Sequence, residues 1–319
     1  MRTVLRWMLR LVGPALLLLF LATSDLGRLW QILSGAAAGP VIWSLLLFPP
    51  FVVIKAWRWI QLLRAMDLDL DLPTAIGLYI VGIFYGATTP GQAGDLLKAV
   101  YLHRRGQPTA AALMSVVLDR LSDLVVMSAL ATIGVFALGR LLPTRELQQA
   151  VVVTMALGLT ATVTVLVARR PRTWLLTGLL PRFAPRMKAL LDTWNLQLHQ
   201  LRLTPRLLAA VTVSSLLSAG FTFVRLWLLF VALGLTAVPL ATVVGASALI
   251  AVLQVLPISI GGVGVRDVVL IAVLAPYGYS QEQALTLSAL FLLINVEHIV
   301  IGFIMSFRYP LTARPAESA

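Results

Sequence analysis

Residues 89–98 read Thr89-Pro90-Gly91-Gln92-Ala93-Gly94-Asp95-Leu96-Leu97-Lys98, and residues 257–267 read Pro257-Ile258-Ser259-Ile260-Gly261-Gly262-Val263-Gly264-Val265-Arg266-Asp267. Each is a glycine loop that starts on proline, carries charge near its end and interrupts a long apolar run. A straight helix does not carry such a loop, because proline removes a backbone donor and glycine loses the most entropy on ordering. An apolar half-helix leads into each loop (74–89 and 239–257), and a short apolar piece leaves it (96–102 and 268–275). These parts predict two helical hairpins, 74–105 and 239–278. Inside a bilayer, such broken backbone is tolerated only where it is buried in protein or lines a cavity.

The composition says that a bilayer is the solvent. Of 319 residues, 59% are hydrophobic and only 12% are charged, about half the charge of a soluble domain. That excludes an ordinary cytosolic enzyme, and it excludes intrinsic disorder, which needs low hydrophobicity. A crossing needs about 20 apolar residues, and the candidates are 7–23, 38–54, 108–138, 148–168, 207–233 and 284–306. The stretch 7–23 also has a signal-peptide reading, with small residues at 35–39 downstream, but the spans behind it favour a retained first helix. The expected fold is an all-α polytopic membrane protein, one domain over 1–319, with about six transmembrane helices plus two re-entrant helical hairpins.

Charge placement sets the orientation. Treating 74–89 as a full crossing would put Lys98, Arg104 and Arg105 outside, whereas a re-entrant hairpin returns Arg104 and Arg105 to the cytoplasm. On that topology 18 Lys and Arg are cytoplasmic, Lys55 and Arg58 among them, against Arg28, Arg140 and Arg145 outside. The positive-inside bias then places both termini in the cytoplasm of a multi-pass protein of the cytoplasmic (inner) membrane. The net charge of +12 is an orientation device on this reading, and nucleic acid is not an expected partner. Residues 169–206 hold eight basic residues, one acid (Asp192), Trp174 and Trp194. They read as a cytoplasmic amphipathic segment on the anionic leaflet.

The two hairpins share an order of parts, and Pro90 and Pro257 lie 167 residues apart, about half the chain. The first hairpin, in a half spanning 7–138, enters from the cytoplasm. The second, in a half spanning 207–306, enters from outside. Inverted repeats of discontinuous helices are a transporter design with the site near the midplane; the alternative is two unrelated glycine-rich loops.

Ionisable residues fall inside the apolar zone. Asp119, Arg120 and Asp123 sit mid-span in 108–138, with Ser115, Asp119 and Asp123 on one face. Ser214, Ser218, Thr222 and Arg225 form a seam in 207–233, and Asn295, Glu297 and His298 sit centrally in 284–306. A mid-bilayer charge costs about 2.5–3.5 kcal/mol on insertion scales, so these groups must meet one another or water. They make either structural ion pairs (Arg120 with Asp123, Arg225 with Glu297) or a polar cavity between helices. Loop N–H groups with Lys98 and Arg266 beside them suit an anion, although Asp95 and Asp267 can neutralise those cations instead. The chain has no cysteine and only three scattered histidines, so no thiolate or zinc site and no cofactor is expected. Asp67, Asp69 and Asp71 read as a solvated turn.

The run from Pro90 to Lys98, with Ser115 and Asp119-Arg120-Leu121-Ser122-Asp123, resembles the first signature of the flippase-like domain. That domain is the membrane region of lysylphosphatidylglycerol synthases and also occurs as the stand-alone UPF0104 family. The run from Pro257 to Asp267 resembles its second signature. The family pattern ends Arg-Glu and Gly-Glu where this chain has Asp267 and Asp95, and it commonly has an Arg where this chain has Gln92 or Ala93. The resemblance covers essentially the whole chain. It implies movement of a lipid with an anionic head between leaflets, with Arg120, Arg266, Lys98 and Arg225 holding phosphate. Asp95, Asp119, Asp123, Asp267, Glu297 and His298 would serve as charge partners or coupling groups, and Gly91, Gly94, Gly261, Gly262 and Gly264 would let backbone approach the head. The expected substrate is a polyprenyl-phosphate, with or without sugar, or an (aminoacyl-)phospholipid, and the protein is not expected to be an enzyme. With no synthase domain before Ala319, lipid chemistry is expected of another protein, an envelope glycosyltransferase or lipid-modifying enzyme. The rival readings are an intramembrane polyprenyl-lipid transferase using Asp119 and Asp123, and a non-transporting partner of a glycosyltransferase.

Overall fold

The computed structural model describes residues 25–89, 94–137, 168–183, 185–201, 204–254 and 262–309, with scattered positions between 146 and 164. The expected span 7–23, most of 148–168, and Gly91 and Gly261 lie outside the described residues. Every regular element among the described residues is helical.

Three short or kinked pieces come first among the described residues: α1 (Leu26–Ser34), α2 (Ala38–Leu46) and α3 (Phe48–Arg64). Pro49 and Pro50 sit in the first turn of α3, where a missing N–H costs nothing. They therefore mark a joint at Leu47 rather than a stop. The helix continues past the expected end at 54 to Arg64, which makes 38–64 one apolar run of 27 residues. The first hairpin is α4 (Leu72–Ala87) and α5 (Leu97–Arg104), followed by α6 (Thr109–Ala137). Asp71 caps α4 by accepting the Thr74 N–H at 3.0 Å.

The basic stretch folds as α7 (Arg169–Thr173), a π-helical turn (Trp174–Leu179), α8 (Leu180–Phe183) and α9 (Lys188–Gln200). The second half is α10 (Pro205–Ala232), the hairpin α11 (Leu240–Leu253) and α12 (Val265–Leu274), and α13 (Gln281–Arg308). Thr204 caps α10, and Ser280 exchanges hydrogen bonds with Gln283 to cap α13. Among the described residues, the runs 38–64, Pro205–Ala232 and Gln281–Arg308 are long and apolar enough to cross a membrane. Helix α6 is as long, at 29 residues, but carries three charges. The hairpin arms, of 16, 8, 14 and 10 residues, are each shorter than the roughly 20 residues a crossing needs.

Packing repeats between the halves. In the first, α3 packs on α4, α5 on α6 and α3 on α6; in the second, α10 packs on α11, α12 on α13 and α10 on α13. The entering arms cross over: α4 lies on α13, and α11 lies on α6. Helices α3 and α10, equivalent by order, face each other. Exchanging the halves maps this set of contacts onto itself. Glycine permits both crossovers. A Cβ on Gly134 would sit 2.3 Å from the Gly245 Cα, and one on Gly302 would sit 2.3 Å from the Phe84 Cβ.

Candidate functional site

In the first half, charge is arranged as a chain. Lys55 Nζ meets Asp123 Oδ2 at 2.5 Å, and Arg58 Nη1 meets Asp123 Oδ1 at 2.5 Å. Arg58 also donates Nη2 and Nε to Asp119 Oδ1, at 2.7 and 2.9 Å. Lys98 Nζ lies 3.3 Å from Asp119 Oδ2 and 3.0 Å from Asp95 Oδ2, and Arg120 Nε donates to Asp95 Oδ2 at 2.7 Å. Around the middle of the chain, Tyr79 donates its hydroxyl to Asp119 at 2.8 Å, and the Lys98 ammonium lies 3.8 Å from the Tyr79 ring centre. Helical geometry explains the alignment: Lys55 and Arg58 are three apart on α3, and Asp119 and Asp123 four apart on α6, so each pair shares a face.

The second half has a shorter set. Arg225 pairs with Glu297, contacts His298 Nε2 at 3.1 Å and donates to the Ser44 carbonyl at 2.8 Å. The His298 ring stacks on Phe48, centroids 4.7 Å apart. Arg266 donates to Ser288 Oγ at 2.7 Å, Ser288 donates to Asp267, and the guanidinium lies 4.8 Å from the Phe291 ring centre. Asp267 also accepts the Gly264 N–H at 2.8 Å, which fixes the start of α12.

Between the halves lies a cavity of about 580 Å³. Lys55, Asp95, Arg120, Asp123, Arg225 and His298 give it polar walls, with Thr222, Gln254 and Asn295. Ile83, Val116, Leu121, Leu124, Met127, Phe291 and Ile294 add apolar surface among them. Of the residues singled out in the sequence, Asp95, Arg120, Asp123, Thr222, Arg225, Gly262, Asn295 and His298 line this space. Asp119 and Lys98 are buried and, like Arg266, Asp267 and Glu297, are not among its lining residues. Gly94 and Gly264 serve the hairpins themselves. A Cβ on Gly94 would be 2.1 Å from the Tyr85 carbonyl oxygen, and Gly264 has φ +81°.

Two expectations are corrected. Lys55 and Arg58, counted with the cytoplasmic charges, are drawn into the ion chain, and Arg58 is wholly buried; without them that count is 16. Arg120 pairs with Asp95 across the hairpin rather than with Asp123 on its own helix. A signal for the first correction was present: no glycine or proline separates the apolar run after Pro50 from Arg64, so both cations had to lie on the same continuing helix.

The geometry defines a multi-pass helical membrane protein whose two like halves enclose a charged cavity. The chain belongs to the lysylphosphatidylglycerol synthase TM region family, whose model matches residues 7–302. No curated protein matches the chain. The family gives the protein a function connected with membrane lipid.

Proposed function

We propose that the protein moves a lipid with an anionic phosphate head between leaflets, through the cavity, as a transporter and not an enzyme. The observation that carries this reading is the lining, which combines cations and their carboxylates with many apolar side chains. A head group needs the first and the start of a hydrocarbon chain needs the second. On this reading α4–α5 and α11–α12 are re-entrant hairpins of an inverted repeat, which the exchange of packing partners supports. Arg120 and Arg225 face the head, and Asp95 and Glu297 hold these cations in place. The substrate class is a polyprenyl-phosphate, with or without sugar, or a phospholipid. The protein would sit in the cytoplasmic membrane with both termini inside, beside an envelope glycosyltransferase or lipid-modifying enzyme that acts on the same lipid.

Reconstitution tests it. Proteoliposomes with a fluorescent anionic lipid in both leaflets are treated with a membrane-impermeant quencher. Loss of signal beyond the outer-leaflet share, abolished by Arg120→Ala, is the expected result. Equal loss in protein-free vesicles refutes the proposal.

A further inference from the structure

Residues 169–200 contribute nothing to the cavity lining, yet they hold a dense exposed charge. Arg169, Arg170, Arg182, Arg186 and Lys188 are all exposed, and none of them makes an ion pair among the described residues. Asp192 is the only acid in the stretch, and it is exposed as well. Large apolar side chains are exposed among the same cations. Phe183 is 81% exposed and Trp174 63%, and exposed Met187 stands between Arg186 and Lys188.

One face of α9 is fastened to the rest of the fold. Leu191, Trp194 and Leu198 share that face by their spacing. Leu191 is buried, and the Trp194 indole donates to the Ala110 carbonyl, in the first turn of α6, at 3.0 Å. Trp194, Leu198 and Val211 of α10 pack against a buried cluster of Leu62 from α3 with Met114 and Leu118 from α6. These positions lie near the end of α3 and the starts of α6 and α10, so α9 lies across helix ends at one boundary of the membrane. Helices α3 and α6 belong to the first half and α10 to the second. The same short helix therefore touches both halves.

We infer that 169–188 is a docking surface for the anionic leaflet at that boundary, the cytoplasmic one in the orientation proposed above, and that α9 passes its docked state to both halves. A leaflet surface satisfies both kinds of exposed side chain at once: cations reach the phosphates, and the rings of Trp174 and Phe183 enter the start of the hydrocarbon. In water the rings would be stranded, and in hydrocarbon the cations would be. An acidic protein would match the charge but would need pockets for the rings, whereas lipid is already present at this height. Each cation near an anionic surface adds to the attraction, and the single acid, Asp192, opposes five exposed cations. Docking at this surface is separate from the cavity and does not require that any lipid be moved through it.

Amide hydrogen exchange of the full chain in nanodiscs tests this. Discs of phosphatidylcholine alone are compared with discs of phosphatidylcholine and phosphatidylglycerol mixed about three to one, which present the anionic surface such cations seek. Exchange across 169–200 is expected to be about tenfold slower or more in the anionic discs, with the difference lost at high salt. Arg182→Gln combined with Arg186→Gln and Lys188→Gln abolishes the slowing there and leaves exchange in α4 and α13 unchanged, which separates this surface from any lipid held in the cavity. Asp192→Asn removes the one acid and deepens the slowing, a gain that does not depend on the loss variant folding. Equal exchange in the two discs, or slowing that survives the triple substitution, overturns the docking surface. Slowing confined to 169–188, with 189–200 and the first turn of α10 unaffected, overturns the link to the halves. Polyglutamate added to the neutral discs is the probe for an acidic protein. Slowing by polyglutamate and not by phosphatidylglycerol overturns the leaflet as occupant and assigns the surface to such a partner.

Discussion

Arg58→Met separates the buried ion chain from the orientation signal that composition suggests. Arg58 has no exposed surface and makes five polar contacts: two to Asp119 Oδ1, one to the Asp119 carbonyl at 3.2 Å, one to Asp123 and one to Ser215 Oγ at 2.8 Å. Methionine matches the arginine stem and its helix propensity, so packing and backbone terms nearly cancel. The loss is electrostatic. Two carboxylates four residues apart on one helix lose the cation between them, and breaking a buried pair costs about 3–5 kcal/mol. Asp123 keeps Lys55, and Asp119 keeps Tyr79 and Lys98, which puts the expected loss near the lower end, about 3 kcal/mol. Reversible unfolding in mixed detergent, followed by far-ultraviolet circular dichroism, measures it. Adding Asp119→Asn removes one of the stranded charges, so the double variant recovers part of the loss instead of adding to it. A change within about 0.5 kcal/mol, the size of a surface substitution, would return Arg58 to the cytoplasmic surface and sink the ion chain.

Gly134→Leu, at a position where even a Cβ would lie 2.3 Å from the Gly245 Cα, is expected to cost about 3 kcal/mol or prevent folding by overpacking. Gly39→Ala, where an added Cβ meets nothing within 4 Å, is neutral or stabilises α2 by up to about 1 kcal/mol; the same detergent titration reads both. Asp71→Ala removes the α4 cap and costs about 1 kcal/mol. The Thr74 N–H holds the Asp71 carboxyl below its ordinary pKa, so the cap's contribution is full above about pH 4 and fades as pH falls through the depressed value. A stability difference between the unmodified chain and Asp71→Ala that persists unchanged into strong acid would contradict that assignment.

The segments of the fold were legible where local chemistry is strong. Pro90 and Pro257, each ending an apolar run, marked both hairpins, and the arms fall within a few residues of the expected 74–89, 96–102 and 239–257. Which charge meets which was not legible, because pairing is tertiary. Asp95 reaches Arg120 and Lys98 reaches Asp119 only once the returning arm α5 lies on α6. Lys55 and Arg58 were misplaced for a different reason. A cation after an apolar run reads as a loop by average behaviour, and only the carboxylates on α6 keep these two inside. The pair Arg225 and Glu297 was reachable, since each stands on a long apolar helix where an unmatched charge is costly. The cavity itself has no sequence signal beyond those charges. It exists because the halves cross over, which periodicity cannot reveal.

That crossing divides the interactions by kind. Every ion pair among the described residues joins two elements of one half: α3, α5, α6 and the hairpin turn in the first, α10 and α13 in the second. Between halves the contacts are of other kinds: glycine approaches at Gly134 and Gly302, and bonds to neutral groups such as Ser215 and the Tyr309 carbonyl. Small-residue interfaces gain from close packing without directional bonds, so they can re-form after a shift. A stripped ion pair in hydrocarbon cannot do so cheaply. If the halves move as units during lipid transfer, as the proposed transport requires, the motion must pass through α4 against α13 and α11 against α6. The Phe84 and Phe303 rings meet across the first of these, centroids 6.1 Å apart. The chain has no cysteine, so Phe84→Cys with Phe303→Cys gives a single cross-linkable pair. A short thiol cross-link there should stop leaflet transfer, and a cleavable linker should restore it on reduction. Transfer that continues at full rate with the pair quantitatively cross-linked would show that this interface does not move, and the division between fastened halves and a yielding seam would have to be abandoned.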